Sequence, residues 1–232
     1  MNAHVGARDP QRSPLLALMG GTFDPVHIGH LRAALEAACV LDATVRLMPA
    51  QVPPHRPQPL ASAAQRLRML EIAVAGIAEL QVDARELART GPSFSVDTLL
   101  GLRAEFGDAR PLALIVGADA FAGLPTWSRW LQLFELAHIV VLNRPGAATS
   151  ADWSAEVRAQ VEWRRCLNAA QLRTTAAGKV FALAITPLAI SATAVRDSFA
   201  RGETPHWLIP PEVLAYIERE GLYKNTLMPL VH

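Results

Sequence analysis

Apolar residues fall along this chain in two rhythms. Short, mostly apolar runs at Leu15–Met19, Val45–Met48, Leu112–Val116, His138–Leu142 and Val180–Ile185 have the length of buried strands. Between them, apolar or small residues recur at helical spacing. From Ile28 they continue through Leu31, Ala34, Leu35, Ala38 and Cys39, which predicts a helix with one buried face. Ser62–Ile77 is helical in pattern, Gln81–Arg85 alternates like a short strand, and Ser95–Phe106 reads as a helix closed by Gly107. Ser191 and Pro211 each open a short helix. Pro49–Pro59 holds five prolines and predicts a surface loop. Strands alternating with helices predict an α/β fold, a Rossmann-like, doubly wound open parallel sheet with helices on both faces. Such sheets take ligands beyond the carboxyl ends of their strands, where the strand order reverses.

Length and charge narrow this picture. The chain has 232 residues, 51% of them hydrophobic, and a formal net charge of +1. It reads as a loose polar leader over residues 1–14 and a single domain over 15–232. With no global positive field, nucleic acid is not an expected partner, and any anion site must be local. No run is long enough to span a membrane. The leader lacks the apolar core of a signal peptide. Cys39 and Cys166 have no metal spacing and read as reduced thiols of a cytoplasmic protein. Gly146–Gly178 is Ala- and Arg-rich, with Trp153 and Val157 at helical spacing, and reads as a surface helical excursion without identifiable chemistry. Nothing in the sequence sets an oligomeric state.

Two segments carry candidate chemistry. The first, Gly20-Gly21-Thr22-Phe23-Asp24-Pro25-Val26-His27-Ile28-Gly29-His30, joins the first strand to the first helix. Paired glycines let backbone approach a ligand. A helix N-terminus adds N–H groups and a positive dipole end. His27 and His30 project from the same side of the first turn, with Gly29 leaving room between them. Such a site suits a polyphosphate. The second, Ile190-Ser191-Ala192-Thr193-Ala194-Val195-Arg196, follows the last strand. Ser191 is a good N-cap, Thr193 falls in the first turn, and Arg196 brings a planar fork that can hold two phosphate oxygens.

The first segment resembles the His-x-Gly-His signature of the nucleotidyltransferase superfamily, and Gly20–Leu31 resembles bacterial nicotinate-nucleotide adenylyltransferases in particular. The second resembles the Ile-Ser-x-Thr-x-x-Arg signature of the same superfamily. Pro53-Pro54-His55-Arg56, Pro92-Ser93-Phe94-Ser95 and Pro125-Thr126-Trp127 are similar to the family's acceptor segments, and the resemblance runs from Leu15 to Tyr223, the excursion excepted. It implies transfer of the adenylyl group of ATP to nicotinate mononucleotide, on the route to NAD, with Mg²⁺ carried on ATP and no metal-ligating residues of the protein. His27, His30 and Arg196 would be catalytic. ATP would meet Gly20, Gly21, Thr22, Phe23, His27, Gly29, His30, Gly117, Asp119, Ile190, Ser191, Thr193 and Arg196, with Asp119 near the ribose. The mononucleotide would meet Thr22, Arg56, Ser95, Trp127 and Arg144. Ser95 stands where many members carry Thr, and Asn143 where they carry the first Arg of an Arg-Arg-Pro-Gly turn.

Three other readings stay open on sequence grounds. One is an adenylyltransferase for nicotinamide mononucleotide or phosphopantetheine, the latter having no need of the Trp127 and Ser95 pocket. Another is a fragment of a class I aminoacyl-tRNA synthetase, disfavoured by the lack of a Lys-Met-Ser-Lys-Ser motif. The third is a non-catalytic nucleotide-binding regulator, against which the retained histidines and Arg196 speak.

Overall fold

A computed structural model describes residues 14–52, 58–89, 91–143 and 153–224. Its centre is a seven-stranded sheet in which every neighbouring pair is parallel. In chain order the strands are β1 (Leu16–Gly21), β2 (Val45–Pro49), β3 (Leu80–Val82), β4 (Leu112–Gly117), β5 (His138–Asn143), β6 (Arg165–Cys166) and β7 (Val180–Ala184). Their spatial order is β3-β2-β1-β4-β5-β7-β6. The chain winds outward through β2 and β3, then returns to the other side of β1 through β4. The reversal lies between β1 and β4, whose register pairs Leu16 with Leu112 and Met19 with Ile115. A ligand crevice is therefore expected where Gly20, Gly21 and Gly117 end these two strands.

Two apolar cores hold helices to the two faces. One packs α1 (Ile28–Leu41), α2 (Ala63–Val74), α7 (Ala192–Ala200) and α8 (Pro211–Arg219) through Leu31, Ala34, Met69, Leu70, Val195, Val213 and Ile217. The other packs α3 (Ser95–Phe106), α4 (Ala118–Ala122), α5 (Trp130–Leu136) and α6 (Ala155–Arg164) through Val96, Leu99, Phe121, Leu133, Phe134 and Val157. Alternate residues of each strand serve opposite cores: Leu16 and Leu18 point to one, Ala17 to the other. This is the doubly wound α/β sheet expected from the alternating pattern. No helix of the described residues is long and apolar enough to cross a membrane.

Several sequence expectations need correction. β1 runs through Gly20 and Gly21, where a loop was expected, and β2 takes in Pro49, expected to open the proline-rich loop. The short third strand covers Leu80–Val82, not Gln81–Arg85. Gly117-Ala118-Asp119 is the start of α4, with Gly117 as its N-cap. The Ala-rich segment is no mere surface excursion. Val157 and Leu172 are fully buried, Cys166 lies on the edge strand β6, and Arg173 donates to the carbonyl oxygens of Leu41 and Asp42, closing the C-terminus of α1. Its Trp153 lies before Ser154, the N-cap of α6, and meets Phe121 edge-on. Cys39, expected on the buried face of α1, is exposed. Alanine and cysteine mark a face only weakly, because small residues tolerate either side.

His138, at the start of β5, is completely buried. Its Nδ1 accepts from the N–H of Lys179 at 3.1 Å and its Nε2–H donates to the carbonyl of Thr175 at 3.0 Å. Burial pushes its pKa down from the ordinary value, opposed by the Thr175 carbonyl. An unfolded chain therefore binds a proton here at a higher pH than the folded one does. The stabilisation is full above the unfolded pKa, about 6.5, and is lost as pH falls below it towards the folded value. Denaturant melts at pH 7.5 and 5.5 should show the native chain losing more stability over that interval than a His138→Gln variant, and equal losses would show that His138 does not set the acid limit.

Candidate active site

The first candidate motif is built on the entry to α1. His27 is the N-cap, and its Nδ1 accepts from the backbone N–H of His30 at 3.3 Å. The N–H of His27 donates to Nδ1 of His30 at 3.4 Å, completing a capping box of two imidazoles. The rings stack with centroids 3.7 Å apart. Because both Nδ1 atoms accept, each neutral ring carries its proton on Nε2, so both histidines present an N–H donor. A capping role and a phosphate-binding role are thus compatible, because the backbone engages Nδ1 of each ring and not Nε2. Phe23 is buried and meets His30 edge-on at 5.1 Å. Its ring supports His30. A Cβ on Gly21 would stand 2.9 Å from that ring. A Cβ on Gly20 or Gly117 would meet nothing within 4 Å, so these two glycines border open space at the strand ends.

The second motif meets the first in space. Ser191 caps α7, its Oγ accepting from the N–H of Ala194 at 3.1 Å. Arg196 donates through Nη1 to the main-chain carbonyl of Asp24 at 2.7 Å and through Nη2 to Oγ1 of Thr193 at 3.2 Å. Thr193 thus aims the guanidinium. Ile190 stands 3.6 Å from where a Gly29 side chain would begin. Two helix N-termini, two imidazoles and one guanidinium therefore gather around the loop that follows β1. Asp119 is exposed at the start of α4, beside Gly117.

The far end of the site surrounds the N-terminus of α3. Phe94 is its N-cap and gives no side-chain capping bond, and Ser95 is the first helical residue. Asp97 in that first turn pairs with Arg129, two residues after Trp127. This ion pair brings the Trp127 loop to the start of α3, and Trp127 and Phe94 are both partly buried against the same core. Ser93 fastens the segment to the end of β2: its Oγ accepts from the N–H of Gln51 at 2.9 Å, and its N–H donates to the carbonyl of Val52 at 3.1 Å. Behind it, Thr98 donates to the buried Glu86 at 2.7 Å and accepts from Arg89 at 2.9 Å. Burial pushes the Glu86 carboxyl up from its ordinary pKa, and the hydroxyls of Thr98 and Ser93 oppose that.

The cytidylyltransferase-like family matches residues 18–198 of this chain. A Methylococcus capsulatus protein named "Probable nicotinate-nucleotide adenylyltransferase" is 47% identical over 211 residues, which cover 90% of this chain and 99% of the relative. A Pseudomonas syringae relative of the same name is 45% identical over 210 residues, covering 90% of this chain and 93% of its own. The chain belongs to the nicotinate-nucleotide adenylyltransferase family. Among solved structures, the Plasmodium falciparum nicotinic acid mononucleotide adenylyltransferase complexed with NaAD superposes with a TM-score of 0.67, covering 90% of this chain and 97% of that one. At 14% identity this likeness speaks to the fold alone.

In this nucleotidyltransferase, Arg56 and Arg144, expected at the acceptor, lie outside the described residues. Sequence reasoning missed the buried polar frame beneath the loop. Asp24 is 4% exposed. Its Oδ2 accepts from Leu60 N–H at 2.8 Å, and its Oδ1 from Ala61 N–H at 3.0 Å and from the Tyr223 hydroxyl at 2.7 Å. Arg66, 1% exposed, donates to the carbonyl of Thr22 at 2.7 Å and to that of Gln51 at 3.4 Å. Burial lowers the pKa of Arg66, opposed by the charge of Asp24, and burial together with Asp24 pushes the Tyr223 phenol far up. The only signal in the sequence was an arginine at a core position of α2.

Gly29 has a tighter role than leaving room for a ligand. A Cβ there would lie 3.1 Å from Cε1 and Nδ1 of His27. Gly29→Ala should therefore push the His27 imidazole off its capping position and lower turnover roughly 10- to 100-fold, with the melting temperature nearly kept. Full turnover in that variant would mean that the His27 ring can shift without cost.

Proposed function

We propose that this chain transfers the adenylyl group of ATP to nicotinate mononucleotide, giving nicotinate adenine dinucleotide and pyrophosphate. The observation that carries the reading is the meeting of two anion-binding helix entries from opposite ends of the chain, joined by Arg196 and the carbonyl of Asp24 at 2.7 Å. A triphosphate cleaved between its α- and β-phosphorus needs charge answered on both sides of the breaking bond. The relatives named above and the aromatic, N–H-rich pocket at Trp127 and Ser95 support nicotinate mononucleotide as acceptor. The whole of residues 15–232 acts in this reading as one nucleotidyltransferase domain, in the cytoplasm.

The acceptor is a phosphate monoester with a second pKa of about 6, so it is largely dianionic at neutral pH and needs no general base. One of its oxygens attacks the α-phosphorus. The bond from that phosphorus to the bridging oxygen breaks, and the electron pair leaves on pyrophosphate. His30 Nε2–H, and His27 beside it, donate to the α-phosphate as charge gathers there. Arg196 and the N-terminus of α7 hold the leaving phosphates. Gly20, Gly21, Thr22 and Gly117 let the nucleotide lie close to the strand ends, with Asp119 towards the ribose. Trp127 stacks on the pyridine ring, and backbone N–H groups at Ser95 take its carboxylate, with Arg56 and Arg144 assigned to the acceptor by resemblance. Positioning and electrostatics suffice, and no nucleophile of the protein is required.

Magnesium fits this site as an ion that arrives on ATP. Among the described residues, no three His, Cys, Asp or Glu converge as a cation cage. The Asp24 carboxylate is already committed to three donors. Bound to the phosphates, the ion would neutralise charge on the departing pyrophosphate.

His30→Ala should lower turnover by about 10²–10³ while the fold survives, the usual loss for one donor to transition-state charge. Steady-state assay of a variant with native melting behaviour checks this, and near-native turnover would remove His30 from the reaction. Acceptor choice tests the far end. An amide in place of the carboxylate sets N–H against N–H, at a cost of about 1–3 kcal/mol, and forfeits a charge-assisted bond. kcat/KM should favour nicotinate over nicotinamide mononucleotide by roughly two orders of magnitude, and Trp127→Ala should lower both. Equal efficiency would make the chain a dual-specificity pyridine-nucleotide adenylyltransferase.

A further inference from the structure

The loop that carries the first phosphate motif has little backbone support of its own. Between the end of β1 and the start of α1, residues 22–27 lie in neither strand nor helix. The carbonyl of Asp24, which accepts from Arg196, belongs to this stretch. Arg66 holds its start through the Thr22 carbonyl, and its middle is held by the Asp24 side chain, buried and met by three donors. Two are backbone N–H groups at Leu60 and Ala61, just before Ser62 caps α2. The third is the hydroxyl of Tyr223, from the other end of the sequence.

Tyr223 follows a closed helix end. α8 ends with Gly221 at φ +64, and the N–H of Leu222 returns to the carbonyl of Ile217 at 3.0 Å, a Schellman closure. The Tyr223 ring lies against Phe199 of α7 at 6.0 Å between centroids. The same side chain therefore touches both partners in the phosphate clamp: its ring meets the helix that carries Arg196, and its hydroxyl meets the residue to which Arg196 is tied. The Arg196 guanidinium also stands 4.0 Å from the Asp24 carboxylate, so a shift of that carboxylate moves both its hydrogen-bond acceptor and its counter-charge.

We propose that Tyr223 is a positioning residue for ATP binding: its hydroxyl pins the Asp24 carboxylate, and Asp24 sets where the Arg196 guanidinium stands. The proposal rests on the reading of Arg196 as a ligand of the ATP phosphates. Burial and the neighbouring carboxylate push the phenol's pKa far above its ordinary value, so it remains a donor throughout the working pH range. Tyr223→Phe removes the hydroxyl and keeps the ring on Phe199, which makes it a clean probe.

The test is calorimetric titration of the full chain with a non-hydrolysable ATP analogue and Mg²⁺, with no acceptor present. Tyr223→Phe should weaken binding roughly five- to tenfold, in the range for loss of a hydrogen bond to a charged group only partly expressed at a distant ligand. Arg196→Ala should weaken it more. The double variant should bind no more than about twofold worse than Arg196→Ala alone, because the hydroxyl acts through the guanidinium and the two losses are not additive. Losses that add would overturn the proposal, as would a Tyr223→Phe variant that melts lower yet binds the analogue as tightly as the native chain. If Arg196→Ala itself leaves the affinity unchanged, the assignment of Arg196 to the ATP phosphates fails, and the inference fails with it for a distinguishable reason.

Discussion

A polar group taken out of water must find hydrogen-bond partners within the protein, or its burial costs stability. The Asp24 carboxylate is such a group, and the site is arranged around its partners. Its donors come from the segment before α2 and from the turn after α8, while its carbonyl oxygen holds α7 through Arg196. Arg66 adds a second buried charge to the same frame, gripping the carbonyls of Thr22 and Gln51. Four distant stretches of sequence are thereby tied to one loop at the β1–β4 reversal. The crevice owes its position to sheet topology, but its precision to this polar frame.

The histidines show how one local geometry serves folding and chemistry together. A helix N-terminus leaves N–H groups without intrahelical partners. Here two side chains cap one another's backbone, which orients the rings, stacks them and sets their tautomers. Such preorganisation matters because phosphoryl-group transfer without a protein nucleophile relies on donors already aimed where charge develops. The same economy recurs at α7, where Thr193 lies in the first turn and also accepts from Arg196.

The proposed acceptor end is braced in a similar way. Glu86, Thr98 and Arg89 form a partly buried chain of hydrogen bonds behind the first turn of α3, and Ser93 ties that turn to the end of β2. A helix N-terminus can discriminate a carboxylate from an amide only if its N–H groups cannot swing away. The ion pair of Asp97 with Arg129 ties the Trp127 loop to the same turn.

Much of this was legible in the sequence, and for a local reason. Strand runs and helical stripes record which side of each element meets the core, so the parallel sheet and most helix limits followed from periodicity; Ser95–Phe106 with Gly107 after it agreed to the residue. Glycine pairs, capping residues and His-x-x-His spacing likewise express chemistry within one turn of chain. Elements that depend on distant packing were missed. The short α4 and α5 are too brief to display a period, and the edge strand β6 is two residues long. Asp24 stood inside a quoted motif without a role, because its donors lie 36, 37 and 199 residues away. Arg66 showed only as an arginine at a core position of α2, and Tyr223, in the turn after α8, looked like an ordinary residue. Burial of a charge is a property of everything packed around it, so the sequence determined the elements and the local anion sites, and only the tertiary structure decided which polar groups hold those sites together.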